Sequence, residues 1–165
     1  MIRAEPLQTV RTTTSAEATG ALASGLAHVA RPGDLLCLWG DLGAGKTAFA
    51  KGFGAGLGVE DTVISPSFIL MAEYRGRLAF FHIDLYRLGD AGDVLSGGIL
   101  DEREAEGVTL VEWPDRMGAA LPDERLDVRI DGSGDDPRRI RFLAHGTAAE
   151  AYVRALEAAA AGAAR

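Results

Sequence analysis

The run Gly40-Asp41-Leu42-Gly43-Ala44-Gly45-Lys46-Thr47 constrains this chain more than any other stretch. It has the spacing G-x-x-x-x-G-K-[ST], is reached directly from the apolar run Leu35 to Trp39, and is left through a helix-like segment from Ala48 to Leu57. A strand, loop and helix in that order can cradle a phosphate chain. Small residues let the backbone curl until several N–H groups converge on one anion, and the wrap is tightest at Gly43 and Gly45. Lys46 then reaches the outer phosphates and the Thr47 hydroxyl is placed to ligate Mg²⁺. The helix that follows turns its N-terminal amides and dipole toward the same anion. Asp41, Leu42, Gly43, Ala44, Gly45, Lys46, Thr47 and Ala48 are therefore the expected contacts for a nucleotide's phosphates and Mg²⁺. An ordinary glycine-rich turn would leave Lys46 without a purpose.

The chain has 165 residues, 47 % hydrophobic and 25 % charged, which predicts one domain over residues 1–165 with a flexible N-terminus and a fraying C-terminal helix. Its formal charge of −7 argues against a surface built as a whole for nucleic acid. The single cysteine, Cys37, lies in the apolar run before the loop and offers neither a disulfide nor a metal cluster, as suits a cytoplasmic protein. The start, Met1 to Pro6, lacks an apolar core of signal-peptide length. The apolar stretches are broken long before they could span a bilayer, so no membrane partner is expected.

Val10 to Thr13 reads as a short edge strand, because successive threonines suit an extended chain. Thr14 and Glu17 have capping-box spacing and open a helix to about Ala30, with Leu22, Leu26 and Val29 as its apolar stripe. Phe49, Phe53 and Leu57 pin the helix after the loop to a sheet, Gly52, Gly54 and Gly56 permit close approach to that sheet, and Gly58 ends the helix. Strands follow at Phe68 to Glu73, Leu78 to Ile83 and Val108 to Val111. Between the last two, Gly89 to Gly107 carries short helical pieces divided by Gly97-Gly98. Leu126 to Ile130 and Ile140 to Leu143 form an antiparallel hairpin at the sheet margin, and Thr147 to Ala160 is a helix packing through Tyr152 and Leu156. This order predicts an α/β, three-layer P-loop nucleoside triphosphate hydrolase fold whose central sheet is largely parallel with antiparallel edge strands.

Two acids end apolar strands, Asp84 after Ala79 to Ile83 and Glu112 after Val108 to Val111. Ligands of open parallel sheets collect at the strands' carboxyl ends, so both acids are expected on the same edge as Lys46. Thr47 is the expected direct Mg²⁺ ligand and Glu112 a second one, direct or through water. Asp84 either holds Mg²⁺ through water or orients an attacking water; the alternative makes both acids strand-end caps or partners of Arg87 and Arg116. Ser65 and Ser67 flank Pro66, either as a switch-like loop approaching the γ-phosphate or as an ordinary Ser-Pro turn. Trp113 is either a pocket wall or core, and Arg138, Arg139 and Arg141 either a local basic patch or a solvated strand edge.

The blocks Gly40 to Thr47, Ser65-Pro66-Ser67, His82-Ile83-Asp84-Leu85-Tyr86-Arg87-Leu88 and Val111-Glu112-Trp113-Pro114-Asp115-Arg116 together resemble the bacterial tRNA threonylcarbamoyladenosine biosynthesis ATPase family, TsaE, from about Thr12 to Leu143. The resemblance implies a cytoplasmic, Mg²⁺-dependent ATPase whose turnover needs the partner proteins TsaD and TsaB. Together they place a threonylcarbamoyl group on N6 of adenosine 37 of tRNA, which this chain meets through the complex. It also implies a catalytic set of Lys46, Asp84 and Glu112, a Mg²⁺ site of Thr47, Glu112 and Asp84, and nucleotide contacts around Thr14 to Ala16. Ser67 stands where the family usually has Thr, which keeps the hydroxyl. Gly97-Gly98 interrupts a segment usually richer in acidic helix formers.

Other classes share the loop. A small-molecule or nucleoside kinase would add an acceptor pocket and a basic lid, and Arg103 alone does not make one. A guanine-nucleotide switch would carry an N-K-x-D element, which is not evident, and a structural subunit would hold nucleotide without turning it over.

Overall fold

The computed structural model describes residues 4–66, 70–88 and 105–164. The first strand, β1 (Leu7–Thr13), starts three residues earlier than the threonine run suggests, because its whole length pairs antiparallel with a strand near the C-terminus. The first helix, α1 (Ala16–Ala27), is capped by Ser15 rather than Thr14: Ser15 is extended and its hydroxyl accepts the Ala18 amide at 3.0 Å. It stops short of Ala30 because the chain tightens before Pro32, where the Val29 and Ala30 amides bond only three residues back.

Strand β2 (Leu35–Trp39) leads through the glycine-rich loop into α2 (Lys46–Gly56). That helix begins two residues before the expected start, since Gly45 adopts φ of +112° and is itself the cap. Its end is a Schellman turn about Gly58, with the Val59 amide on the Gly54 carbonyl and the Gly58 amide on Ala55. The glycines of α2 do not all face the sheet. A Cβ on Gly52 would lie 2.0 Å from the Gly20 carbonyl oxygen, and one on Gly56 would lie 2.3 Å from that of Ser24, so both let α1 and α2 touch backbone to backbone. Only Gly54 turns to the sheet side, toward Val63 and Phe80.

The hairpin β3 (Met71–Arg75) and β4 (Ala79–Asp84) follows; β3 begins after Leu70, while Phe68 of the expected strand lies outside the described residues. Strand β5 (Val108–Glu112) runs into a 3₁₀ segment (Pro114–Ala120), followed by β6 (Arg125–Asp131), β7 (Arg138–His145) and α3 (Thr147–Ala163). The helical pieces expected between 89 and 104 lie outside the described residues.

The sheet order is β1-β7-β6-β2-β5-β4-β3. Strands β6, β2, β5 and β4 are parallel, and antiparallel pairs close both sides, as the sequence predicts. The β6–β7 hairpin is not marginal, however, because β1 covers β7. Helices α1, α2 and α3 bury one face of the sheet in a single core that includes Phe49, Phe53, Phe80, Phe142 and Tyr152. On the other face Met117 of the 3₁₀ segment packs with Ile83, Leu85 and Val111 to make the third layer. No helix among the described residues is long and apolar enough to cross a membrane.

Gly52→Ala is expected to cost about 3 kcal/mol in urea denaturation, because the clash is with backbone. Gly25→Ala, in the same helix pair but with nothing within 4 Å of the added Cβ, should instead gain roughly 0.5–1 kcal/mol.

Candidate functional site

The glycine-rich loop sits at the carboxyl end of β2, a strand with parallel neighbours on both sides. Gly43 and Gly45 take φ of +80° and +112°, and the Gly45 cap provides no side chain for the first-turn amides of α2. Those donors are left for an external acceptor. Lys46 is buried. Its ammonium donates to the Gly40 carbonyl and, at 2.9 Å, to that of Asp41, and it lies 4.3 Å from the centre of the Trp113 ring. Burial lowers its pKa below that of an ordinary lysine, while Glu112 and then Asp84 work in the opposite direction.

Strands β4 and β5 are paired so that Asp84 stands directly beside Glu112. Both carboxylates are buried, at 4 % and 2 % exposure, although each ends its strand. The Ser65 hydroxyl donates to Asp84 Oδ2 at 2.6 Å and reaches Glu112 Oε2 at 3.3 Å. The Tyr86 amide fixes the other Asp84 oxygen at 2.9 Å. Behind Glu112, His82 Nε2 approaches Oε2 at 3.3 Å without hydrogen-bond alignment, and the His82 ring is fully buried and stacked on Phe80. These acids share one cavity of about 260 Å³ with Gly43, Gly45, Lys46, Thr47 and Ser65. Its far wall is Trp113, held against Tyr86 with ring centres 5.0 Å apart. Trp113 reaches that position from a left-handed backbone, φ of +59°, a strained conformation for a bulky residue.

A second cavity, about 470 Å³, opens on the other side of the same loop. The start of α1, Thr14 to Ala16, and the β6–β7 connection, Gly134 to Asp136, face each other there across Gly43, Gly45 and Ala48. Arg138 ties the connection to the loop: its Nε donates to the Ala44 carbonyl at 2.8 Å, and Nη2 to those of Gly43 at 3.2 Å and Gly134 at 3.0 Å.

The model for the family described as "Threonylcarbamoyl adenosine biosynthesis protein TsaE" matches residues 13–140. The chain belongs to the TsaE family. It is 46 % identical over 135 residues to the Bacillus subtilis tRNA threonylcarbamoyladenosine biosynthesis protein TsaE, covering 81 % of this chain and 84 % of that relative. The Treponema pallidum protein of the same description is 34 % identical over 126 residues, covering 76 % and 93 %. The crystal structure of Bacillus subtilis YdiB superposes with a TM-score of 0.81 at 39 % identity, covering 94 % of this chain and 97 % of that one, and its P-loop fold is the fold found here.

In this TsaE-family chain, the cavity with Trp113 gathers Leu42, Gly43, Gly45, Lys46, Thr47, Asp84 and Glu112. Asp41 enters through its carbonyl, Ala44 is buried beneath the loop, and Ala48 lines the second cavity. Ser67 and Gly97-Gly98 lie outside the described residues. The three arginines near the start of β7 do not form one group. The alternation of β7, with Ile140 and Phe142 buried in the helical core, sends Arg138 to the loop side and Arg139 and Arg141 to the other face. That period-2 pattern was the signal available in the sequence for Arg138.

Asp84→Asn keeps an acceptor for the Tyr86 amide and a partner for Ser65 while removing one of two adjacent buried charges. The unliganded variant is expected to be more stable than the parent by about 1 kcal/mol in chemical denaturation at neutral pH.

Proposed function

We propose that this chain binds ATP with Mg²⁺ and hydrolyses it in support of N6-threonylcarbamoyladenosine formation in tRNA, acting in the cytoplasm with TsaD and TsaB and meeting tRNA through that complex. The observation that carries the reading is one cavity with a phosphate loop, Lys46 and Thr47 on one side and the paired carboxylates Asp84 and Glu112 on the other.

The donor set fits Mg²⁺. A hydroxyl and two carboxylates are hard oxygen donors, and no group of three or more His, Cys, Asp or Glu able to hold an ion occurs among the described residues. Such a sparse set suits an ion that keeps water and substrate phosphate oxygens in its shell. When bound, Mg²⁺ would neutralise charge on the β- and γ-phosphates. Thr47 and Glu112 would hold it, Glu112 directly or through water. Asp84, fixed by Ser65 and the Tyr86 amide, would hold one of its waters or orient the attacking one.

Lys46 would exchange the Gly40 and Asp41 carbonyls for phosphate oxygens, a swap favoured because the anion carries full charge where the carbonyls carry partial charge. Amides at the head of α2 would take the same phosphates. The second cavity, between Thr14 to Ala16 and Gly134 to Asp136, has the place and size for the nucleoside end.

ATP turnover should be measured with the chain alone and with TsaD and TsaB added. Stimulation is expected only in the mixture, and Glu112→Ala should lower it by about a hundredfold or more while ATP still binds. Equal turnover without partners would favour an independent enzyme. Transfer of phosphate to a small acceptor would favour a kinase.

A further inference from the structure

We infer that Arg138 is a positioning residue that holds the phosphate loop in its anion-binding form from outside the cavity that gathers Lys46 and the paired acids. The inference rests on the nucleotide reading above and adds a residue that the loop motif does not contain. Gly43 and Gly45 both have positive φ, and a Cβ at either would meet nothing within 4 Å, so the loop has open space on the Cβ side of its two most adaptable positions. A brace comes from Arg138, the first residue of β7, which donates to both intervening carbonyls, Ala44 at 2.8 Å and Gly43 at 3.2 Å.

A trans peptide directs its C=O and N–H to opposite sides. Drawing the Ala44 carbonyl toward the guanidinium therefore turns the Gly45 N–H the other way. The Ala44 amide is already committed to the Asp41 carbonyl at 3.0 Å, so the peptide between Ala44 and Gly45 is the one whose orientation Arg138 decides. The guanidinium is anchored in turn by the Gly134 carbonyl at 3.0 Å and by that of Asp136. Its partners in these bonds are backbone oxygens, and no ion pair joins it to a carboxylate among the described residues. Its positive charge lies beside the loop, where it polarises the two peptides and favours an anion on their far side. The same side chain holds Gly134 and Asp136, so it joins the wall of the second cavity to the phosphate loop.

Calorimetric titration of the full chain with Mg²⁺-ATP and, separately, with inorganic tripolyphosphate tests this; the variants are Arg138→Ala, Arg138→Lys and, as a control for net charge, Arg139→Ala on the opposite face. Arg138→Ala is expected to weaken both ligands by about tenfold, Arg138→Lys to recover part of that loss by keeping the charge without the fork, and Arg139→Ala to match the parent. Melting temperatures identify any variant that fails to fold; if Arg138→Ala does, folded Arg138→Lys must still show weakened tripolyphosphate binding. A loss confined to ATP would make Arg138 only a wall of the second cavity and overturn the inference, as would unchanged affinity for both ligands. A parent chain that binds neither ligand would instead overturn the nucleotide reading itself, and the role of Arg138 with it.

Discussion

Register between three parallel strands sets the distances on which everything at the site depends. Leu38 of β2 pairs with Glu112 of β5, and Glu112 pairs with Asp84 of β4, so the loop that leaves β2 and the two acids emerge at one level of the sheet. A slip by one residue in any pair would turn the acid to the other face. The apolar residues preceding each acid prevent that slip. Leu36, Leu38, Phe80 and Leu110 belong to the helical core, whereas Ile83 and Val111 belong to the layer beneath the 3₁₀ segment. The chemistry of the site is thus held in place by hydrophobic packing on both faces.

Helix α2 has a second support. Its contact with α1 runs along Gly20, Ser24, Gly52 and Gly56, where backbones meet without intervening side chains. Glycine lowers intrinsic helix stability, but here it permits an approach no other residue allows. The phosphate-loop helix is therefore clamped between α1 and the sheet, and α1 carries Thr14 to Ala16 to the edge of the second cavity. The C-terminal helix secures the opposite end of β2: the Tyr152 hydroxyl donates to Asp34 at 2.5 Å, just before β2 begins, and burial raises the Tyr152 pKa well above its usual value.

Much of this was legible in the sequence because it is local. The loop motif, the apolar runs ended by Asp84 and Glu112, and the strand and helix order each depend on a few neighbouring residues, and the parallel centre followed from them. Misplaced features depend on distant partners. Strand β1 is longer than its threonines suggest because β7 pairs with all of it, and the β6–β7 hairpin lies inside the sheet because β1 returns to cover it. Competition between Thr14 and Ser15 for the cap of α1 was settled by backbone geometry, which the spacing of residues does not encode. Arg138 reaches across 94 residues to the Ala44 carbonyl, a meeting that requires the final sheet order.

Trp113 holds the most conspicuous backbone strain at the site. A left-handed backbone suits glycine, yet an indole occupies it, wedged between the Lys46 ammonium and the Tyr86 ring. Such a conformation lasts only while its surroundings leave no roomier alternative. The apolar layer of Met117 and Leu121 beneath it thus acts at a distance as a set-screw for the wall that faces the lysine: loosening that layer would let the indole relax away from the ammonium, which its bonds to the Gly40 and Asp41 carbonyls would still hold.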